Sequence, residues 1–265
     1  MSPLMDVARR WGVQLTGPVV VTGTSELQPG VRGDEPVMIK LAHVAEERLG
    51  ARVLASWAGR GAVRVLELDG DAVLLVRATG PRDLARLSAD GRDDTATVIL
   101  CDVLERLHAV PDPGLAVPDL ARWIRALTAP APASHPDPRG HERAADILRE
   151  LSAPVEPSVL LHGDAHHFNV LDFGDRSRAR WLAIDPKGVR GPRVFDHLAL
   201  FLNPDPATAI SRLRRRQAIV AERLGRDDLA EWVFGYAMLS VAWHLEDGTD
   251  PAAALAVAAA AAELL

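Results

Sequence analysis

The densest group of reactive side chains is His162-Gly163-Asp164-Ala165-His166-His167-Phe168-Asn169, directly after the apolar run at residues 158–161. Asp164 and Asn169 stand five apart in a loop, and sixteen residues further on Asp185 closes the next apolar stretch, residues 180–184. An aspartate, an asparagine five later and a second aspartate beyond a short hairpin suit magnesium-dependent phosphoryl transfer. One carboxylate orients the attacking hydroxyl. The amide oxygen and the second carboxylate hold Mg²⁺ against nucleotide phosphates. Two protein ligands suffice there, because the phosphates supply others.

The three histidines admit a competing chemistry, since imidazole and carboxylate together bind Zn²⁺. The order here does not match the His-x-His-x-Asp-His pattern of two-metal hydrolases, because Asp and His are interchanged. The histidines are therefore expected to pack or to hydrogen-bond within the loop. Lysine usage adds a second signal. Of 30 basic residues 28 are arginine, and the two lysines are Lys40 and Lys187. A position that keeps lysine in such a chain is a candidate for a compact ammonium that a planar guanidinium cannot replace. Lys187 lies two residues past Asp185, where it either contacts phosphate or is structural.

These residues need a frame to hold them. Residues 19–22, 36–41, 62–68 and 72–76 read as strands, with Asp69-Gly70-Asp71 as a hairpin turn and one helix at 43–58 ended by Gly59. In the second strand Met38 and Lys40 share one face, and Val37, Ile39 and Leu41 the other. Residues 78–81 (ATGP) read as a linker. After it come helices at 94–109, 119–129 (with Asp119 as its cap), 141–151, 206–224, 228–246 and 252–265, and short strands at 158–161 and 180–184. The expectation is an α+β chain of two lobes. Residues 1–78 form a small antiparallel sheet with one helix; residues 79–265 form a larger, mainly helical lobe.

Composition narrows the partners. The chain has 265 residues and a net charge of −6, which argues against nucleic-acid binding by phosphate neutralisation. Residues 1–80 carry nine basic and nine acidic side chains, so the whole surplus lies in residues 81–265. One cysteine, Cys101, excludes an intrachain disulfide and reads as a buried helix thiol. No apolar run approaches the ~18 residues of a membrane span, and MSPLMDVARR has no signal-peptide character. A cytoplasmic protein without a membrane partner, monomeric or weakly dimeric, is expected. Arg212 to Arg216 (RLRRR) reads as a solvated helix face and His108 as a core or boundary residue.

HGDAHHFNVL, WLAIDPKG and FDHLALFLNP together resemble the aminoglycoside/hydroxyurea antibiotic resistance kinases, a group that includes streptomycin 6-phosphotransferases. The resemblance extends to EERLGARVLASWAGRGAVRVLE, AVLLVRATG, RLRRRQAIVAERLG and LSVAWHLEDG, roughly residues 35–250. It implies a two-lobed, protein-kinase-like fold with ATP and Mg²⁺ between the lobes. It implies Asp164 as catalytic base, Asn169 and Asp185 as metal ligands, and Lys40 on the α/β-phosphates. Asp196 would brace the catalytic loop. The helix partner of Lys40 is Glu46 or Glu47; adjacent residues point about 100° apart, so one alone faces the lysine, and Glu47 is preferred. Three features depart from the family pattern. Gly23 to Gly33 contains no recognisable glycine-rich phosphate loop. Val76-Arg77 replaces a Glu-Arg pair before the linker. A literal Asp172-Phe173-Gly174 follows Asn169 too soon, and reads as the hairpin turn rather than a metal site.

The implied reaction is transfer of a phosphoryl group to a hydroxyl of a small acceptor of the streptomycin type, with hydroxyurea or another small acceptor as the alternative. A nucleotide-binding pseudokinase is the non-enzymatic rival, opposed by the intact set Lys40, Asp164, Asn169 and Asp185. Glu246 and Asp247, at the end of helix 228–246, are candidates to contact an acceptor cation; a solvated turn is the plain alternative. Trp232, Tyr236 and Trp243 share one face of that helix and read as core rather than as a sugar platform.

Overall fold

Leu4, Val7 and Ala8 repeat at helical spacing and build α1 (Pro3–Arg10), whose buried stripe covers the outer face of a sheet. The computed structural model describes residues 3–152 and 158–265. The sheet holds β1 (Gln14–Leu15), β2 (Val20–Val21), β3 (Ser25–Arg32) and β4 (Glu35–Ala42), followed by α2 (Ala45–Trp57) and the hairpin β5 (Val65–Asp69) and β6 (Ala72–Val76). The strand order is β1-β3-β4-β6-β5, with β2 paired to β3 and every neighbour antiparallel. Along β4, Val37 and Ile39 are fully buried against α1, while Met38 and Lys40 line the opposite, cleft-facing side.

Four expectations shift here. Residues 23–33, in which no motif was apparent, form the β2–β3 turn and the long strand β3. The strand expected at 62–68 begins at Val65, because Val63 instead donates to the Ala183 carbonyl at 2.9 Å and joins the other lobe. The helix expected at 43–58 begins at Ala45, since the His43 amide is taken by the Thr24 carbonyl at 2.8 Å. That helix stops at Ala58, which turns left-handed at φ 50°, one residue before Gly59.

The second lobe starts with α3 (Leu84–Ala89), capped by Asp83, and α4 (Asp93–His108), which buries Leu100, Val103, Leu104 and Leu107. One helix was expected at 119–129. The chain instead breaks at Ile124 into α5 (Leu120–Trp123) and α6 (Arg125–Thr128), and Asp119 makes no side-chain cap. Its backbone is held in a bridge to Arg190. α7 (Pro138–Leu151) follows. Two strands were expected beyond it and four occur: β7 (Val159–Leu161), β8 (Val170–Asp172), β9 (Trp181–Ala183) and β10 (Val189–Gly191). They pair as two antiparallel ladders, β7 with β10 and β8 with β9. At three residues each they are too short to show a period.

Two 3₁₀ turns, Arg193–His197 and Ala199–Leu202, lead into α8 (Pro206–Leu224), α9 (Leu229–Glu246) and α10 (Ala252–Ala262). α9 is apolar around most of its circumference and is accordingly the central helix of the lobe. The arginine run on α8 is not uniformly solvated. Arg216 is fully buried, bonds both oxygens of Asp93 at 2.6 and 3.0 Å, and donates to the Leu200 and Asn203 carbonyls. One apolar cluster runs from Val53, Leu54, Trp57 and Leu75 under the cleft to Leu104, Leu161, Phe195 and Trp232. The lobes therefore share a floor, and the cleft opens above it. Among the described residues no helix is long and apolar enough to cross a membrane.

Candidate active site

The loop between β7 and β8 is built around a buried carboxylate. Asp196 accepts the amides of His162 at 2.9 Å and Gly163 at 2.7 Å, and its Oδ2 lies 2.8 Å from His108 Nε2. Burial opposes its ionisation, but the His108 hydrogen bond and the loop amides outweigh that and hold its pKa below the ordinary carboxylate value. Gly163 has φ 84°, and a Cβ there would come within 2.8 Å of the Trp123 ring, so this turn requires glycine. The turn delivers Asp164 to the wall of a cavity.

His162 ties this loop to the next strand. Its Nδ1 accepts the Asp164 amide at 3.2 Å, which leaves Nε2 as the donor to the Ile184 carbonyl at 2.8 Å. Burial keeps the ring neutral. With both nitrogens engaged it has none for a metal. His166 Nδ1 accepts the Phe168 amide at 3.2 Å, and buried His167 packs against Arg216. Among the described residues no group of three or more His, Cys, Asp or Glu is placed to hold a metal ion.

Asn169 spends its amide nitrogen on the Asp164 carbonyl at 2.9 Å and the Asp164 carboxylate at 3.3 Å. That network orients the amide and leaves its oxygen without a protein donor among the described residues. The Ile184 amide bonds the Asn169 carbonyl at 2.9 Å, which sets Asp185 immediately beyond Asn169. Asp185 holds a left-handed backbone, φ 58°, a strained conformation for a non-glycine residue. Burial opposes its charge, but the Lys40 ammonium more than compensates and keeps its pKa low. A free amide oxygen and an ionised carboxylate are hard donors of the kind Mg²⁺ takes, and they fit a site completed by phosphates.

Lys40 is 12% exposed and contacts the carboxylates of both Glu47 and Asp185. Glu47 is held in turn by the Thr24 hydroxyl at 2.7 Å. Glu46, one residue earlier, points elsewhere and pairs with Lys187 at 2.7 Å. Gly50 lets α2 approach the segment after Asp185, since a Cβ there would lie 2.3 Å from the Pro186 carbonyl. The cleft around Lys40 encloses about 490 Å³, lined by Met38, Leu75, Phe173, Ile184 and Asp185, and the hinge residues Arg77 and Ala78.

A second cavity, about 650 Å³, is lined by Asp164 and adjoins the cleft at Lys187. Glu246 and Asp247 line it, as do Trp123, Tyr236 and Trp243. The rings stand edge to face, with Trp243 5.8 Å from Trp123 and 6.1 Å from Tyr236. Of the three aromatic residues on one face of α9, only Trp232 is core alone. Asp172, at the end of β8, points away from both cavities' chemistry. Its buried carboxylate accepts the Gly174 and Arg180 amides at 2.8 and 2.9 Å and Arg82 at 3.1 Å. Arg82 also bonds the Asp175 and Arg176 carbonyls, which fastens the interlobe linker to the β8–β9 turn.

Sequence reasoning did not identify Thr24, Arg82, the Arg216–Asp93 pair or the partner of His108. Each joins residues far apart in the chain, and no local pattern announces it.

The model of the aminoglycoside/hydroxyurea antibiotic resistance kinase family matches residues 10–248. A streptomycin 3''-kinase of Klebsiella pneumoniae is 40% identical over 90% of this chain and 91% of its own length. A hydroxyurea phosphotransferase of Kitasatospora aureofaciens is 33% identical over 92% of this chain and 72% of its own. Among solved structures, an aminoglycoside phosphotransferase in complex with ADP and hygromycin B superposes with a TM-score of 0.68. It is 18% identical and covers 98% of both chains, which establishes the two-lobed kinase-like fold.

Proposed function

This chain belongs to the aminoglycoside/hydroxyurea antibiotic resistance kinase family, and from that premise we propose that it transfers the γ-phosphate of ATP to a hydroxyl of a streptomycin-like aminoglycoside. The observation that carries the reading is the place of Asp164. Its carboxylate stands on the wall of a cavity that also presents Glu246 and Asp247, next to the cleft that holds Lys40.

In this reading ATP lies in the cleft, with its adenine toward the backbone of 77–78. Lys40, fixed by Glu47, contacts the α/β-phosphates. Asn169 and Asp185 would hold Mg²⁺, which supplies charge neutralisation on the phosphates. Asp164 accepts the proton of the acceptor hydroxyl, and the Asn169 amide keeps its carboxylate aimed. Much of the rate comes from holding the hydroxyl in line with the phosphorus atom.

Hydroxyurea is the second reading, favoured by the relative that acts on it. The two separate on charge. A cationic aminoglycoside neutralises the carboxylates beside Asp164, whereas a small neutral acceptor leaves them unpaired in the cavity. An ATP-consumption assay with streptomycin, related aminoglycosides and hydroxyurea tests this. Streptomycin-type acceptors are expected to give the highest kcat/KM. A higher value for hydroxyurea would replace the aminoglycoside reading.

A further inference from the structure

We infer that Lys187 is a catalytic residue, whose ammonium exchanges Glu46 for the phosphoryl group in flight between ATP and the acceptor. The inference rests on the phosphotransferase reading above and adds to it a residue that acts on the transferred group itself.

Position is the first argument. Among the described residues Lys187 alone lines both the nucleotide cleft and the acceptor cavity. The γ-phosphorus must cross from one to the other, so this side chain borders its path. The second argument is anchoring. The Lys187 and Gly188 amides both donate to the His162 carbonyl, at 2.8 and 3.1 Å. The Lys187 Cβ lies 3.4 Å from the place a Gly163 Cβ would occupy. The root of the side chain is thus fixed against the loop that carries Asp164.

The tip is held differently. Lys40 sits almost buried between two carboxylates, whereas Lys187 is 29% exposed and its partner Glu46 54%. An ion pair this open is weak and exchanges readily. A compact ammonium with three rotatable donors can turn from a carboxylate to phosphate oxygens without moving its backbone. This also gives a reason for a second lysine in a chain that otherwise uses arginine.

The step balances as follows. The acceptor oxygen forms a bond to the γ-phosphorus as its proton passes to Asp164 and on to solvent. The bond from that phosphorus to the β–γ bridging oxygen breaks, and its electron pair leaves with ADP. Lys187 transfers no proton; it donates hydrogen bonds to the non-bridging oxygens, where charge is carried through the transition state. Glu46 lines the acceptor cavity. A cationic group of the acceptor entering there competes for Glu46 and frees Lys187. With the cavity empty, Glu46 competes with ATP for the ammonium and slows hydrolysis by water, whereas a bound mimic of the phosphoryl group in flight draws the ammonium away from it.

Two variants and two readouts test this. Lys187→Met is expected to lower kcat on the order of 10²-fold, with KM for ATP and affinity for ADP held within a few-fold. Adding aluminium fluoride, a mimic of the phosphoryl group, is expected to tighten Mg·ADP binding in the wild type and not in Lys187→Met. Glu46→Gln is expected to raise ATP hydrolysis without acceptor several-fold. The assignment is overturned if Lys187→Met keeps wild-type turnover, or loses ADP affinity in proportion. It is equally overturned if variant and wild type respond alike to aluminium fluoride, or if Glu46→Gln leaves hydrolysis unchanged. The aluminium fluoride titration needs no acceptor. It therefore decides Lys187 even if the wild type phosphorylates neither streptomycin nor hydroxyurea, a result that would defeat the acceptor reading instead.

Discussion

The two cavities that meet at Lys187 treat charge in opposite ways. On the nucleotide side the charges are paired before any ligand arrives. Lys40 is enclosed by Glu47 and Asp185, and Glu47 is bonded to Thr24. On the acceptor side Glu246 and Asp247 are exposed and share the cavity wall with Arg122, Arg125 and Lys187, but among the described residues no salt bridge ties them to a basic side chain. The first arrangement suits a ligand of constant shape, because a site already ordered spends little free energy on ordering when it binds. The second suits a ligand that brings its own cations. Asp164 lines the second cavity and not the cleft, and the largest effect should come from removing it.

Asp164→Ala is expected to lower kcat by about 10³-fold, within the range for loss of a general base. Nucleotide affinity should stay within a few-fold, because Asp164 lines the cavity that carries Glu246 and Asp247 and not the cleft around Lys40. Steady-state kinetics with an AMP-PNP titration checks this. Near-normal turnover would remove the functional distinction between the cavities.

The nucleotide side can be sharpened by two aspartates on either side of one hairpin. Asp185→Ala should weaken magnesium-dependent nucleotide binding by ten-fold or more, about 1.4 kcal/mol. Asp172→Ala should leave nucleotide affinity alone and instead lower Tm. Its carboxylate is buried and accepts two amides and Arg82, a set whose loss costs about 3 kcal/mol. Calorimetric titration and thermal unfolding of the two variants separate the roles. A nucleotide defect in the Asp172 variant would reverse the assignment of the metal ligand.

That pair also illustrates what a sequence reading can reach. Asp164, Asn169 and Asp185 are legible because they lie within one strand–loop–hairpin unit, where spacing alone brings them together. Val37 and Ile39 are legible through the two-residue period of β4. β3 was missed because Gln28-Pro29-Gly30 interrupts any alternation. Arg216 was misread because a buried arginine needs Asp93, 123 residues away, and only the fold supplies it. His108 acquires its meaning in the same way, from Asp196 at a separation of 88 residues. Local chemistry is written locally; the braces that hold it come from long-range packing.

Those braces confer a pH dependence on the helical lobe. Buried His197 packs beside His108, their rings 6.0 Å apart, and burial together with that neighbour pushes its pKa down to about 4. It is neutral in the fold, whereas the unfolded chain takes up the proton near pH 6.5. Stability contributed by the neutral ring is present above the unfolded value and is lost as pH falls from about 6.5 to about 4, at up to about 1.4 kcal/mol per pH unit. His197→Gln or His197→Phe should flatten that part of the stability–pH curve measured by urea unfolding. The nucleotide lobe carries one histidine among the described residues, His43, and it is exposed.

The smallest effect expected is at the acceptor rim, and it bears most directly on what the cavity receives. Glu246 ends α9 and Asp247 follows it. Carboxylates at a helix C-terminus oppose the helix dipole, a cost of about 0.3–1 kcal/mol each. Among the described residues no salt bridge offsets this, so a cationic acceptor recovers part of it on binding. The contact is open to water, and screening keeps it modest. Glu246→Gln with Asp247→Asn is expected to raise KM for streptomycin a few-fold to ten-fold, to leave KM for ATP unchanged, and to stabilise the free protein slightly. The wild-type KM should climb with added salt, and the double variant should lose most of that slope. A neutral acceptor such as hydroxyurea should be indifferent to both the substitutions and the salt. If KM for streptomycin stays fixed in the double variant, the exposed carboxylates are not its binding site. The contrast between a prepaired nucleotide cleft and an acceptor cavity awaiting cations would then lose its acceptor half.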